Sequence, residues 1–340
     1  MGKFTDLLNS ITNTPDEKID FNSRILIIDG MNTYLRNFSM INHINPQGNH
    51  IGGLTGFLKS IGYIIKLIRP SRVVIVFDGI GSSSTKKNLF PEYKSNRNTG
   101  KILNWEIFET KEEEKESMIN QMVRLVDYLK LLPVTLLSID KIEADDVIGY
   151  LVENSFKNSD SVTILSADKD FYQLINNKVQ VYNPFKKYCY TPKEVLEFFG
   201  VSSKNFVLYK TILGDSSDSI PGVKGIGEKK LLKLFPFLKE DTYFDLNYIL
   251  EYSKNKIDKS YLYERVLLFK KQLEINYQLI ELRNQPLMDS TKNEIDTIIK
   301  EYPSKLNSSK FINLYNGDQL GNSIPRLSNW LVEVFSPLNY

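Results

Sequence analysis

Nine carboxylates stand where short apolar runs end or glycines turn the chain. They are Asp29 in I-L-I-I-D-G, Asp78 in V-V-I-V-F-D-G, Glu143, Asp145 and Asp146 in I-E-A-D-D, Asp168 and Asp170 in I-L-S-A-D-K-D, and Asp215 and Asp218 in L-G-D-S-S-D. Several follow directly on apolar runs of buried character, where an unpaired charge is costly, so a positive species should be held among them. A pair of divalent cations is the simplest candidate. Two such ions about 4 Å apart activate an attacking water and stabilise the departing oxygen of a phosphodiester, so hydrolysis needs no covalent protein nucleophile. The chemistry indicated is that of a metal-dependent nuclease.

Spacing refines this. Glu143 and Asp146, three apart, share one face of a helix, whereas Asp145 points elsewhere unless the segment is a frayed helix start. Asp168 and Asp170 flank Lys169, and extended geometry turns both to one side. The bland alternative is that each acid caps a helix or turn, or complements a helix dipole for roughly 0.3 to 1 kcal/mol. That effect does not require so many. Cys189 is the only cysteine and the only histidines, His43 and His50, lie in one Gly/Asn/Pro loop, so an ordinary zinc site is excluded and oxygen-ligated magnesium or manganese remains. The carboxylate surplus must be offset before a phosphate can approach, and Lys94 and Arg97 are the best-placed cations.

The elements that must position these acids are legible from periodicity. Arg24–Ile28, Val73–Phe77, Val134–Ile139 and Val162–Leu165 are short β-branched or apolar runs separated by helical stretches, with Val179–Tyr182 a further strand. Leu54 to Ile68 carries apolar residues at three- and four-residue spacing, as does Met118 to Leu129, giving crossover helices of a mainly parallel sheet. In such a sheet the functional crevice lies beyond the carboxyl ends of the strands, which is where Asp29, Asp78 and Asp168 fall. Gly81 to Glu116 lacks a continuous apolar stripe and reads as a solvated insertion, basic in its first half and acidic in its second. After Tyr190 the pattern is helical: Thr191, Pro192 and Glu194 make a capping-box start with the helix ending at Gly200. Further helices are expected at Lys204–Leu213, Tyr243–Tyr252, Tyr261–Gln272, Lys292–Glu301, Lys305–Leu314 and Pro325–Phe335. Between them, G-D-S-S-D-S-I-P-G-V-K-G-I-G-E-K-K (214–230) has glycines at 222, 225 and 227 that allow a tight turn exposing backbone N–H groups, suited to phosphates.

Composition agrees with a soluble globular protein: 340 residues, 41% hydrophobic and 25% charged, with no apolar run of membrane-spanning length and no signal-like apolar core in Met1–Asn22. Location is expected to be cytoplasmic. A net charge of +2 does not announce a nucleic-acid binder, but Lys86, Lys87, Lys94, Arg97 and Lys101 form one basic stretch and Lys224, Lys229, Lys230 and Lys233 another.

From Arg24 to about Leu238, with E-A-D-D, S-A-D-K-D and G-D-S-S-D-S-I-P-G-V-K-G-I-G occurring in order, the chain resembles the 5′ nuclease or flap endonuclease superfamily. The resemblance implies an α/β fold with a central, mainly parallel sheet flanked by helices, a helix-three-turn-helix and a C-terminal helical region. Its domains would be an N-terminal extension at 1–22, a catalytic domain at 23–190 with a helical arch at about 81–116, and a helical DNA-binding region at 191–340 with the helix-three-turn-helix at about 212–235. It implies two Mg2+ ions, replaceable by Mn2+, one gathered by Asp29, Asp78, Glu143, Asp145 and Asp168 and the other by Asp146, Asp170, Asp215 and Asp218. Tyr93, Lys94 and Arg97 in P-E-Y-K-S-N-R match the arch base that meets the scissile phosphate. Lys210, Lys229 and Lys230 match duplex-binding lysines, and Gly222, Val223, Gly225 and Gly227 shape the turn, which in this family binds a K+ ion through carbonyls. Trp105 to Phe108 and the C-terminal helices are similar to the T-even phage ribonuclease H. That branch implies a monomer, host-cytoplasmic if phage-encoded, acting with phage replication proteins on branched or nicked duplex DNA and RNA–DNA hybrids with a 5′ end to remove primers and flaps. Ser219 departs from the asparagine common in relatives, and the arch is acid-rich, but no carboxylate is lost. Two other readings remain: a non-catalytic branched-DNA-binding replication accessory, and a PIN-type ribonuclease, which also clusters aspartates but lacks the glycine turn.

Overall fold

The computed structural model describes residues 21–98 and 101–338, so the expected N-terminal extension lies outside the described residues except for Phe21 and Asn22. Six strands form one sheet in the order β3-β2-β1-β4-β5-β6. They are β1 Arg24–Asp29, β2 Arg72–Asp78, β3 Thr135–Ile139, β4 Ser161–Leu165, β5 Val179–Asn183 and β6 Tyr188–Tyr190. All neighbours are parallel except β6, which returns antiparallel on β5. The central strands read as near-continuous Ile, Leu and Val because helices cover both faces.

The order of the strands decides where chemistry can happen. From β1 the chain builds outward through β2 and β3, then returns to place β4 on the other flank of β1 and continues outward to β5. The connections therefore diverge at the β1/β4 boundary and leave a crevice beyond their carboxyl ends. Asp29 ends β1, Asp78 ends β2, and Asp168 follows β4 by three residues. Both Asp-Gly steps have a steric reason: a Cβ on Gly30 would stand 2.5 Å from the Phe77 ring, and one on Gly79 would stand 1.8 Å from the Ile139 carbonyl oxygen.

The Gly52–Ile68 crossover helix and the capping-box helix Pro192–Phe199, closed by a left-handed Gly200, lie where the periodicity and caps place them. Two expectations are corrected. The acidic second half of the insertion is not wholly solvated: a helix runs from Lys111 to Leu129, and Glu114 within it is fully buried. Its carboxylate accepts the backbone N–H groups of Leu103 (2.6 Å) and Asn104 (2.8 Å), anchoring the chain that leads into the helix. The expected Tyr261–Gln272 helix breaks at Phe269 into Tyr261–Leu268 and Lys270–Ile280. The helices after Tyr190 do not share one core. Those up to about Ile299 pack on one face of the sheet, whereas Phe311, Tyr315, Leu331 and Phe335 close the other face against the Gly52–Ile68 helix. A helix at Gly30–Met40 and strand β6 are additions that the periodicity does not announce. Among the described residues no helix is long and apolar enough to cross a membrane.

Candidate active site

At the β1/β4 crevice one serine ties two of the acids together. Ser166 donates to Asp29 Oδ2 (2.9 Å) and accepts from the Asp168 N–H (3.0 Å). Asp29 Oδ1 accepts the Asn32 N–H, capping the Gly30–Met40 helix, and Asp168 Oδ1 accepts the Asp170 N–H. Burial raises the Asp29 carboxyl from 3.8 to about 7 against those two hydrogen bonds, and the charges of Asp168 and Asp78 push the same way. Asp78 stands at the open strand tip, its Oδ1 accepting the Ala144 N–H (2.8 Å). Among the described residues, Asp29, Asp78 and Asp168 make no salt bridge.

Beside them is a second group. Glu143 takes the N-cap position of the helix Ala144–Tyr150 with extended backbone, so all three acids of I-E-A-D-D turn the same way, Asp145 included. Lys86, from the short helix Ser84–Leu89, is 93% buried in their midst, its Nζ 3.0 Å from Glu143, 3.4 Å from Asp145 and 2.9 Å from Asp146. Lys94 Nζ lies 2.6 Å from the other Glu143 oxygen, and the Tyr93 hydroxyl donates to Glu143 Oε2 (2.8 Å). Burial would raise Glu143, but Lys86 and Lys94 outweigh it and hold the carboxyl down to about 2. Asp146 is pushed up to about 7 by its burial despite Lys86, with the charges of Asp145 and Glu143 adding to the rise.

The third group comes from the helical half of the chain. Lys210, in the helix Phe206–Leu213, is buried between Asp170 and Asp215, with its Nζ 2.6 Å from Asp215 Oδ2 and in direct contact with Asp170. Burial opposes ionisation of both acids, yet Lys210 and the Ser217 bonds hold Asp215 down to about 2, while Asp170 is raised to about 7. Arg97 pairs with Asp218, and the segment Lys94–Asn96 is stitched to the same loop by Lys94 N–H to the Asp218 carbonyl (2.9 Å), Ser95 to Ser219 (3.2 Å) and Asn96 Nδ2 to the Ser216 carbonyl (2.5 Å). Lys94 and Ser219 both adopt left-handed backbone to make this seam.

All nine acids of the sequence motifs thus belong to one edge of the molecule, with some roles redrawn. Tyr93, expected to meet substrate, is 2% exposed and braces Glu143 instead. Lys210, expected at a duplex, is enclosed among carboxylates. Asp146, grouped in expectation with Asp170, Asp215 and Asp218, offers its oxygen within 4.8 Å of Glu143 and Asp145. Lys229 and Lys230 are exposed at the start of the helix Glu228–Leu234, beyond the glycine turn. That turn is tight because Gly222 passes Leu213, whose carbonyl oxygen would lie 1.9 Å from a Cβ there, while Gly214 takes φ +73°. Two of its carbonyls are engaged within the chain: Arg265 donates to the Lys224 oxygen (3.0 Å) and Lys230 to the Gly225 oxygen (3.0 Å). Motif reading did not assign Lys86 and Ser166 to this site. Lys86 and Lys87 are indistinguishable in a polar stretch until the helix turns one inward. His50, bonded to the Ile41 carbonyl and Gln121, and Cys189, whose half-buried thiol burial pushes up to about 11, belong to the scaffold.

The donors fit divalent cations of the hard type: they are all carboxylate oxygens, and Asp146 Oδ1 is buried with no hydrogen bond although Lys86 Nζ stands 2.9 Å away, off the line a hydrogen bond needs. Comparison with known proteins points the same way. Residues 24–200 match the family model described as 5′-3′ exonuclease, N-terminal resolvase-like domain. A 5′-3′ exonuclease of Buchnera aphidicola subsp. Schizaphis graminum is 31% identical over 280 residues, 80% of this chain and 90% of the relative. One from Aquifex aeolicus is 28% identical over 277 residues, 81% of this chain and 86% of the relative. The bacteriophage T5 D15 flap endonuclease, in a product complex with DNA and metal ions, shares the fold with a TM-score of 0.65 at 20% identity, over 82% of this chain and 99% of that one. With the acidic motifs in order, one sheet edge gathering them and the family model spanning more than half of the chain, this protein belongs to the 5′-3′ exonuclease family of 5′ nucleases.

Proposed function

We propose that the protein is a divalent-metal-dependent, structure-specific nuclease that removes nucleotides 5′ to 3′ and cuts 5′ flaps. Its substrates would be branched or nicked duplex DNA and RNA–DNA hybrids, and its task the removal of RNA primers and flaps during replication. The observation that carries this reading is the convergence of nine carboxylates from separate segments on one crevice, next to the arch-root cations Lys94 and Arg97. Magnesium suits the all-oxygen donor set, with manganese as substitute. When bound there, divalent ions supply an activated water and stabilise the departing oxygen. Asp29, Asp78, Asp168 and the two outer groups of acids would hold them.

The chain's own residues divide the remaining work. Tyr93 and Lys86 fix Glu143, while Lys94 and the half-exposed Arg97 present positive charge at the mouth of the crevice, where an anionic strand must enter. The glycine turn, with Lys229 and Lys230 exposed beyond it, suits a duplex gripped through its phosphates without reading bases. Residues 23–190 would then be the catalytic unit with its arch at 81–116, and the glycine turn within 212–235 the duplex anchor. Asp78→Asn and Asp168→Asn are expected each to reduce cleavage of a 5′-labelled flap duplex in magnesium at least 100-fold while leaving flap binding in place. Undiminished cleavage by both variants would remove the metal assignment.

A further inference from the structure

The acids of this crevice fall into two classes that the sequence does not separate. Asp29, Asp78 and Asp168 make no salt bridge among the described residues, whereas Glu143, Asp145 and Asp146 surround Lys86, and Asp170 and Asp215 enclose Lys210. These two lysines are unusual for their type. Lysine is almost never fully buried unless paired, yet side-chain exposure here is 8% for Lys86 and 10% for Lys210. Each ammonium is directed at the very oxygens a divalent ion would use, and each stem is fixed by a helix on a different side of the crevice.

We propose that Lys86 and Lys210 are built-in counter-cations that set the affinity of the crevice for divalent metal. Each ammonium neutralises an outer carboxylate group in the metal-free protein and must withdraw before those acids can ligate an ion. The inference rests on the metal-dependent reading above. An ion at magnesium's oxygen distance of about 2.1 Å and an ammonium about 3 Å from the same oxygens repel each other strongly in a partly buried site. An ion that uses the outer acids is therefore held more weakly than the bare carboxylates would hold it, because every binding event there returns a buried ammonium to water. Asp146 Oδ1, close to Lys86 but off its hydrogen-bond line, shows that the ammonium satisfies the group incompletely and leaves an advantage for a better cation.

The test is calorimetric titration of Mn2+ into metal-stripped full-length protein, comparing wild type with Lys86→Met, Lys210→Met and Lys86→Arg. Methionine keeps the stem and removes the charge, so each Met variant should bind its weakest ion at least tenfold more tightly while melting several degrees lower in EDTA. Added Mn2+ should restore that melting temperature, and Lys86→Arg should titrate like wild type. Because a Met variant can fail to fold, the unmodified protein carries a second readout, amine acetylation mapped by peptide mass spectrometry. Labelling of Lys86 and Lys210 should be slow in EDTA and rise at least threefold in saturating magnesium, with the exposed Lys193 as a constant reference. Unchanged labelling, or Met variants whose Mn2+ affinity is unaltered or weaker, would overturn the counter-cation role and leave the nuclease reading intact. Wild-type protein that takes up no Mn2+ would overturn both.

Discussion

Replacing Asp29 by asparagine should make the metal-free protein more stable, increasingly so as pH rises, while destroying its activity. Asp29 is 8% exposed, and its carboxyl is raised from 3.8 to about 7, chiefly by burial. A group whose folded-state pKa lies above its unfolded one contributes most below the unfolded value, and that contribution is lost as pH rises through the folded one. At 1.36 kcal/mol per tenfold in proton affinity, the ionised side chain costs the metal-free fold on the order of 4 kcal/mol above pH 7, of which less than half is already incurred at pH 5. Asparagine removes that dependence. It can still accept the Asn32 N–H, and Ser166 can turn its hydroxyl to accept instead of donate, so the loss of a charge-assisted bond is on the order of 1 kcal/mol. The advantage of Asp29→Asn should therefore grow by roughly 2 to 3 kcal/mol between pH 5 and pH 8, as measured by urea unfolding in EDTA at both values. Flap cleavage in magnesium should fall at least 100-fold in the same preparation. An advantage that does not change with pH would show that Asp29 is ionised without penalty in the fold, and the argument from burial would fail.

Two further substitutions test the redrawn roles. Tyr93→Phe removes only the hydroxyl that donates to Glu143, a charge-assisted bond worth roughly 1.5 to 3 kcal/mol. Stability to urea should drop by that amount with flap affinity unchanged in a fluorescence anisotropy titration, because the ring is 2% exposed and out of reach of a strand. A tenfold loss of affinity without loss of stability would return Tyr93 to the substrate. Glu114→Ala strands the N–H groups of Leu103 and Asn104, at roughly 1 to 3 kcal/mol each. Hydrogen exchange at those two amides should accelerate, whereas protection equal to wild type would mean that the anchor lies elsewhere.

The strands and crossover helices were legible because burial on both faces writes itself as unbroken β-branched runs and as apolar residues at helical spacing. Where burial is carried by other residue types, the pattern fades. The helix Gly30–Met40 buries Gly30, Thr33, Tyr34 and Phe38, a set with too few aliphatic residues to mark a stripe, and β6 is three residues long. Glu114 lies in a run of acids that solvates as a whole, and only the two N–H groups of Leu103 and Asn104, brought close by the chain's return, single it out for burial. Lys86 is hidden for the same reason. Its position is fixed by Glu143, Asp145 and Asp146, about sixty residues away along the chain, and nothing local distinguishes it from Lys87.

The acids themselves were the most legible feature, and the fold explains why capping and metal binding are not rival accounts of them. In a parallel sheet each strand hands over to a helix at the carboxyl edge, so that edge collects helix N-termini, where aspartate is favoured as a cap. Asp29, Asp168 and Asp215 do cap: each uses Oδ1 to accept a backbone N–H from two or three residues on. A carboxylate has a second oxygen, and the cap fixes its direction. Asp29 Oδ2 turns to Ser166, and Asp215 Oδ2 turns to Lys210. Capping thus supplies, at no separate cost, the orientation that a ligand needs. What a metal site would use is charge in excess of what caps and ion pairs neutralise, and among the described residues Asp29, Asp78 and Asp168, at the carboxyl edge of the sheet, are the motif acids that make no salt bridge.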